Sequence, residues 1–133
     1  MASSGDYLYF RKIHRDVSTE LTFTASTDDT VLITATSASH TIYVQRIIGY
    51  ITTDAAQSIA FQDTAGTPVK IAEITTSPGD ETRWDFDFGE EGTPLTVGTN
   101  LNMNVSATGL AGHVKVYAYQ RITVAMAVGT TNL

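Results

Sequence analysis

Residues 114–121 read Val-Lys-Val-Tyr-Ala-Tyr-Gln-Arg, and this stretch decides the fold class. Its apolar side chains occupy every second position, a period of two that is typical of a β-strand with one buried face. The same alternation recurs along the chain, for example in Leu21–Ala25, Val31–Ala35 and Trp84–Phe88. No long stretch has the apolar spacing of an amphipathic helix. The sequence therefore predicts an all-β protein.

The composition supports strands and excludes several classes of site. The 133 residues include 22 threonines and 9 serines, and β-branched threonine suits the solvent face of a pleated sheet. The absence of cysteine excludes disulfides and thiolate-based sites. A net charge of −6 argues against nucleic acid as a partner, since that partner requires clustered lysine and arginine. No apolar run is long enough to span a bilayer, so we expect no membrane partner and synthesis in a cytoplasm.

Turn residues separate the alternating runs at short intervals, as at 63–68 and 77–80. A chain with about eight or nine antiparallel strands favours a two-sheet β-sandwich, with the jelly roll as the leading topology. In 40–53 the alternation slips at Ile47–Gly49, which indicates a bulge or bend. The strands, some of which are expected to merge, are predicted near residues 7–13, 21–26, 30–36, 40–53, 57–62, 69–75, 82–88, 93–97, 100–107 and 113–126.

The chain is predicted to have one principal domain with a segment at each end. Residues 1–20 are expected to form an N-terminal arm or edge strand, 21–126 the β-sandwich, and 127–133 a C-terminal tail. The segment Tyr7–Arg15 is aromatic and then basic. It is either the first edge strand of the sandwich or an extended arm that adds a strand to a neighbouring protein.

No motif for catalysis or for a cofactor occurs in the chain. There is no hydrolase elbow, phosphate loop, dinucleotide fingerprint or His-Glu-x-x-His sequence. The three histidines, His14, His40 and His113, are scattered, without the His-x-His pair of a cupin metal centre. We therefore expect no enzyme activity and no cofactor.

The acidic segment 80–91 contains the one weak candidate for a metal site. Asp85 and Asp87 share a strand face, and with Glu90, or Glu91, on the following turn they offer oxygen ligands suited to Ca²⁺. The segment lacks the third ligand and the glycine position of a calcium loop. We interpret it as a solvated strand face, with a metal site as the alternative.

Aromatic residues suggest both a core and a binding patch. Trp84, Phe86 and Phe88 alternate with charged residues and are expected in the core, whereas an exposed Trp84 would be a sugar or partner platform. Tyrosine and arginine on the two longest predicted strands form a candidate partner-binding patch, because both residue types are enriched at binding hot spots. The alternative is that these tyrosines are simply half-buried. The patch comprises Tyr43, Arg46, Tyr50, Tyr117, Tyr119 and Arg121.

Two segments resemble a known group of proteins. They are HTIYVQRIIGYITTDAAQSIAFQDTAG, residues 40–66, and TPLTVGTNLNMNVSATGLAGHVKVYAYQRIT, residues 93–123. In the order of their strands and turns they resemble small jelly-roll proteins of tailed bacteriophage virions, the capsid decoration (cement) proteins and related fibre and tail-tip domains.

That resemblance implies a structural role in a virion. It implies a homotrimer on the outer surface of the capsid, with the major capsid protein as partner and with terminal segments that touch the shell. The alternative within the same group is a fibre-tip module that recognises a host-surface glycan or protein. The arm residues expected to contact the partner are Tyr7, Tyr9, Phe10, Arg11, Lys12 and Arg15.

Overall fold

The computed structural model describes residues 15–24, 29–52, 57–76, 82–106 and 110–122. These residues form ten strands and no helix, and so contain no helix that could cross a membrane. The strands are β1 (Arg15–Asp16), β2 (Thr19–Phe23), β3 (Asp29–Ile33), β4 (His40–Ile51), β5 (Ser58–Asp63), β6 (Lys70–Thr75), β7 (Arg83–Asp87), β8 (Thr93–Pro94), β9 (Leu101–Val105) and β10 (Gly112–Ile122).

The strands pair antiparallel in two sheets. The six-stranded sheet has the order β1-β10-β4-β7, with β2 also paired to β10 and β8 to β4. β1 and β2 lie along the same edge of β10 and are separated by Val17 and Ser18. In the same way, β7 and β8 lie along one edge of β4. The four-stranded sheet has the order β3-β9-β5-β6.

This strand order is that of a jelly roll. When each interrupted edge counts as one strand, consecutive strands lie in different sheets except for the β5–β6 hairpin, and the first strand lies beside the last. The predicted all-β, antiparallel two-sheet sandwich is therefore confirmed. The described part of the segment 1–20 lies in the edge strand of the six-stranded sheet. The strand predicted at 93–97 shortens to Thr93–Pro94, and that at 7–13 lies outside the described residues.

The irregularity in β4 lies at Gln45. Tyr117 of β10 pairs with Arg46, and the next residue, Ala118, pairs with Val44, which leaves Gln45 as the extra residue of a bulge. The prediction that the alternation slips at Ile47–Gly49 was therefore wrong in position. The error arises because the position of a bulge depends on how β4 pairs with β10, and the sequence of β4 alone does not specify that pairing.

The core fills the space between the sheets, and Gly49 makes room for its tryptophan. Trp84 is only 7% exposed and packs beside Phe61, with ring centroids 6.2 Å apart. A Cβ atom at position 49 would lie 2.4 Å from Cζ2 of Trp84 and 2.5 Å from the carbonyl oxygen of His113. Glycine is required here because the indole lies directly against the backbone of β4.

A buried carboxylate joins β5 to two loops. Asp63 is 2% exposed and accepts hydrogen bonds from the backbone N–H of Val69 at 2.9 Å, from that of Ala65 at 3.2 Å, and from the Thr96 hydroxyl at 2.7 Å. Burial by itself raises the pKa of Asp63, but these donors outweigh it and lower the pKa below its ordinary value. Asp63 therefore remains ionised and holds the loop after β5 against the loop that follows β8.

We expect Gly49→Ala to lower the free energy of unfolding by about 1–3 kcal/mol, because the added methyl group displaces Trp84 from its position in the core. Urea unfolding monitored by tryptophan fluorescence measures the loss. Gly66→Ala is the matched control, since a Cβ there meets nothing within 4 Å. Equal stability of the two variants would contradict the packing described for Trp84.

We expect Asp63→Asn to lower the free energy of unfolding by about 1–3 kcal/mol at neutral pH, because its amide N–H₂ would face groups that donate. The lowered pKa means that the ionised form stabilises the fold above the unfolded value of 3.8, and that this contribution is lost as the pH falls through the folded value. Urea unfolding across acidic pH should therefore show a shallower dependence in the variant. Glu73→Gln, an exposed carboxylate on β6, is the control and should retain the wild-type dependence.

Candidate partner-binding face

The outer surface of the six-stranded sheet carries the side chains that alternate with the core. In β10, Val114, Val116 and Ala118 are fully buried, so the residues between them point away from the core. Directly opposed residues of antiparallel strands share a face, which places their partners on β4 and β7 on the same side. We call this surface the tyrosine face, defined by Tyr43, Arg46, Ile48, Tyr50, Arg83, Asp85, Asp87, His113, Lys115, Tyr117, Tyr119 and Arg121.

At one end of the tyrosine face two tyrosines form a stack. Tyr43 and Tyr119 are directly paired, with ring centroids 5.0 Å apart and an interplanar angle of 5°. The Arg121 guanidinium carbon lies 4.7 Å from the Tyr43 ring centroid, and Nη2 donates to the Tyr43 hydroxyl at 3.2 Å. The Tyr119 hydroxyl donates to the carbonyl oxygen of Glu91 at 2.7 Å. Partial burial raises the pKa of Tyr119, so the hydroxyl remains a donor.

The middle of the face is held by an ion pair. Arg46 donates to both carboxylate oxygens of Asp85, from Nε at 2.8 Å and from Nη2 at 2.6 Å. This bidentate geometry fixes both side chains. The hydrogen bonds from Arg46 lower the pKa of Asp85, and Asp85 in turn raises the pKa of Arg46, so both groups stay charged. Both side chains remain about half exposed and available to a partner.

The other end of the face combines an aromatic stack with a histidine–carboxylate contact. Tyr50 and His113 have ring centroids 5.8 Å apart, and the Arg83 guanidinium carbon lies 5.7 Å from the Tyr50 ring centroid. His113 Nε2 lies 2.7 Å from Oε2 of Glu20, and Nδ1 lies 3.0 Å from the Thr22 hydroxyl. The edge strand β2 thereby orients an outward-facing residue of β10.

These contacts order the face before any partner arrives. Side chains that are already fixed lose less conformational entropy when they are buried in an interface. Tyr50 is 39% exposed and Tyr117 36% exposed, whereas Tyr43 and Tyr119 are half-buried by their mutual stack. The alternative of half-buried strand tyrosines thus describes two of the four, while Tyr50 and Tyr117 are more exposed and each carries a cation over its ring.

The structure brings all six residues of the predicted patch onto this face. They are Tyr43, Arg46, Tyr50, Tyr117, Tyr119 and Arg121. Arg15 is placed apart from them, at the sheet edge, where it pairs with Gln120 and is exposed. The other arm candidates, Tyr7, Tyr9, Phe10, Arg11 and Lys12, lie outside the described residues.

The weak metal candidates are not brought together as ligands. The Asp85 carboxylate is bound by Arg46, and Asp87 Oδ1 accepts the backbone N–H of Gly89 at 2.9 Å. Within the described ranges no group of three His, Asp or Glu residues is placed to hold a metal ion. Trp84, as expected, belongs to the core and does not form an exposed platform.

Sequence reasoning missed two cation–ring contacts on the face and the bulge residue beside it. Lys115 and Arg83 each place a charged group over a tyrosine ring, with Lys115 Nζ 5.0 Å from the Tyr117 centroid. The alternation of β10 already contains the signal for Lys115, because it lies between the buried Val114 and Val116. Gln45 lacks any such signal, since its place at the bulge depends on pairing with β10.

Neither a protein-family model nor a curated protein sequence matches the chain. Solved structures with a similar fold include a protein of Bacillus endospore appendages, which are described as a novel family of disulfide-linked pili. The two chains are 10% identical, the alignment covers 84% of this chain and 88% of that chain, and the TM-score is 0.41. Another is the virus-like particle of the extra small virus of the prawn Macrobrachium rosenbergii, with 7% identity, 90% and 80% covered, and a TM-score of 0.43.

A third is the CBM22-1–GH10 part of a Clostridium thermocellum xylanase, with 10% identity and a TM-score of 0.34. The alignment covers 90% of this chain but 30% of that one. At such low identities and TM-scores these likenesses support no conclusion about what this chain binds or does.

Proposed function

We propose that this chain is a non-enzymatic structural protein of a bacteriophage virion, which decorates the outside of the capsid and stabilises the mature head. The observation that carries the proposal is the composition of the tyrosine face. Within the described residues it holds all four tyrosines and four of the six lysines and arginines. Tyrosine and arginine are the residue types that dominate protein–protein hot spots.

Charge favours the same face as the docking surface. The chain as a whole has a net charge of −6. On the tyrosine face, Arg46, Arg83, Lys115 and Arg121 offset the nearby carboxylates, so a second protein surface can approach there with little repulsion. The partner we propose is the major capsid protein, in accord with the resemblance of residues 40–66 and 93–123 to decoration proteins.

Stabilisation of the head follows from mass action. A protein that binds the expanded shell and not its precursor stabilises the expanded shell by its binding free energy. A homotrimer, the assembly we propose, presents three copies of the face around one rotation axis. Each contact can then be modest, because the linked copies bind with avidity.

A fibre-tip module that recognises a glycan or protein is the alternative, and the solvent exposure of Tyr50 and Tyr117, at 39% and 36%, favours it. The two functions differ in where binding occurs. Capsid decoration requires the isolated chain to bind expanded heads, whereas the fibre-tip function requires it to bind the host cell surface.

We expect the double variant Tyr43→Ala, Arg46→Ala to bind expanded heads of the virus that encodes the chain at least about tenfold more weakly than wild type, because both side chains are hot-spot types on the proposed docking surface. Co-sedimentation with the heads measures the affinity. Lys70→Ala, an exposed cation on the four-stranded sheet, is the control and should bind normally. Unchanged binding of the double variant would exclude the tyrosine face as the docking surface.

We expect light scattering to give a solution mass of three times 14.3 kDa. Deletion of residues 1–14 leaves β1 and the sandwich strands in place, so the trimer should persist if the sandwich forms it. Weaker binding of the deletion variant to heads would indicate a shell-docking arm. A monomer in both forms would reject the trimer and favour the fibre-tip alternative.

A further inference from the structure

A depression of about 270 Å³ lies near the centre of the tyrosine face. It is lined by Gln45, Arg46, Asp87, Gly89, Glu90 and Tyr117. Its position is set by the bulge in β4, because Tyr117, Arg46 and Asp87 are paired in one row across β10, β4 and β7 beside the extra residue Gln45. Central depressions lined by tyrosine and arginine are where interface hot spots cluster.

The loop that closes the depression is tied to the bulge. Gln45 Nε2 donates to the carbonyl oxygen of Glu90 at 2.6 Å, and the backbone N–H of Phe88 donates to the Gln45 carbonyl at 2.8 Å. Gly92, at φ 78°, brings the loop so close to β4 that a Cβ there would lie 2.9 Å from the Val44 carbonyl oxygen. The depression is therefore a fixed part of the fold.

The lining groups keep unused hydrogen-bonding capacity. Asp87 engages Gly89 through Oδ1, which leaves Oδ2 without a partner among the described residues. The Glu90 carboxylate likewise has no hydrogen bond or ion pair to the described part of the chain, and Tyr117 is 36% exposed. Arg46, in contrast, is already matched by Asp85.

The charges of the lining residues determine which type of chemical group can fill the depression. The charged groups around it are Arg46 and Lys115 against Asp85, Asp87 and Glu90, so the excess is negative. A partner that buried Asp87 and Glu90 without a cation would leave carboxylates unpaired and desolvated, which is strongly unfavourable. The complementary group therefore carries positive charge.

We propose that the docking partner inserts an arginine side chain into this depression. A guanidinium offers paired N–H donors to Asp87 and Glu90 and a planar surface to stack on Tyr117, which an ammonium group does not. The inference rests on the proposed function, because docking through the tyrosine face is what covers the depression. It adds the partner's chemistry: a basic, arginine-bearing surface.

An NMR titration of the ¹⁵N-labelled full chain tests the depression without the partner. Ethylguanidinium chloride is the probe, compared at constant ionic strength with ethylammonium chloride and with methyl β-glucoside. We expect ethylguanidinium to shift the backbone amides of Gln45, Arg46, Gly89 and Tyr117. Asp87→Asn should weaken that binding about tenfold, the change expected when a charge-assisted hydrogen bond becomes neutral. Its Oδ1 can still accept the Gly89 N–H, so the turn should remain.

Glu73→Gln is the matched control, because it removes the same charge from the opposite sheet and should bind ethylguanidinium as wild type does. Binding of Asp87→Asn with wild-type affinity, or shifts caused by the glucoside and not by ethylguanidinium, would overturn the proposal. In the second case the depression is a saccharide site. Co-sedimentation with heads separates the two proposals. If Asp87→Asn binds heads as tightly as the wild-type chain does, the arginine contact alone is rejected. If the wild-type chain itself fails to bind heads, capsid decoration is rejected.

Discussion

The single extra residue at Gln45 is the constraint on which both surfaces of the six-stranded sheet depend. Side chains of a strand alternate strictly, so a shift of one residue moves every later side chain to the other face. With Gln45 inserted, Ile42 and Val44 are buried before the bulge, and Ile47 and Ile51 are buried after it. Without it, the half of β4 after the bulge would point Ile47 and Ile51 to solvent and Arg46 and Tyr50 into the core.

The same insertion determines which side chains of β4 lie on the outer face. Because the register changes between Val44 and Arg46, Tyr43 and Arg46 both point outward although they are three positions apart. Each then lies opposite an outward tyrosine of β10, Tyr119 and Tyr117. The aromatic stack and the depression beside it are therefore consequences of one backbone irregularity.

The sequence predicted the fold better than the site for physical reasons. Alternation within a strand is local, so β4 and β10 could be recognised, as could the buried side of Trp84. The outward side of Tyr117 and Tyr119 followed from the same pattern. Contacts between strands are not local, and so the Arg46–Asp85 pair and the bulge position could not be derived.

The candidate metal ligands illustrate the same limit. Asp85 and Asp87 were correctly placed on one strand face, which they share with Arg83. The partner that binds Asp85 comes instead from the neighbouring strand β4, as Arg46. Which cation satisfies a carboxylate is decided by register, and register is set by the pairing of whole strands.

The two interrupted edges of the six-stranded sheet affect how neighbouring copies of the chain can pair with one another. An unbroken exposed edge can recruit a strand from an identical neighbour and begin an uncontrolled stack. Here one edge is broken at Val17 and Ser18, where the Asp16 carboxylate accepts the Ser18 backbone N–H at 3.0 Å and its hydroxyl at 2.7 Å. The other edge is broken between β7 and β8. Within the described residues, copies held side by side at high local concentration therefore find no continuous edge of this sheet with which to pair, and edge-to-edge stacking is disfavoured.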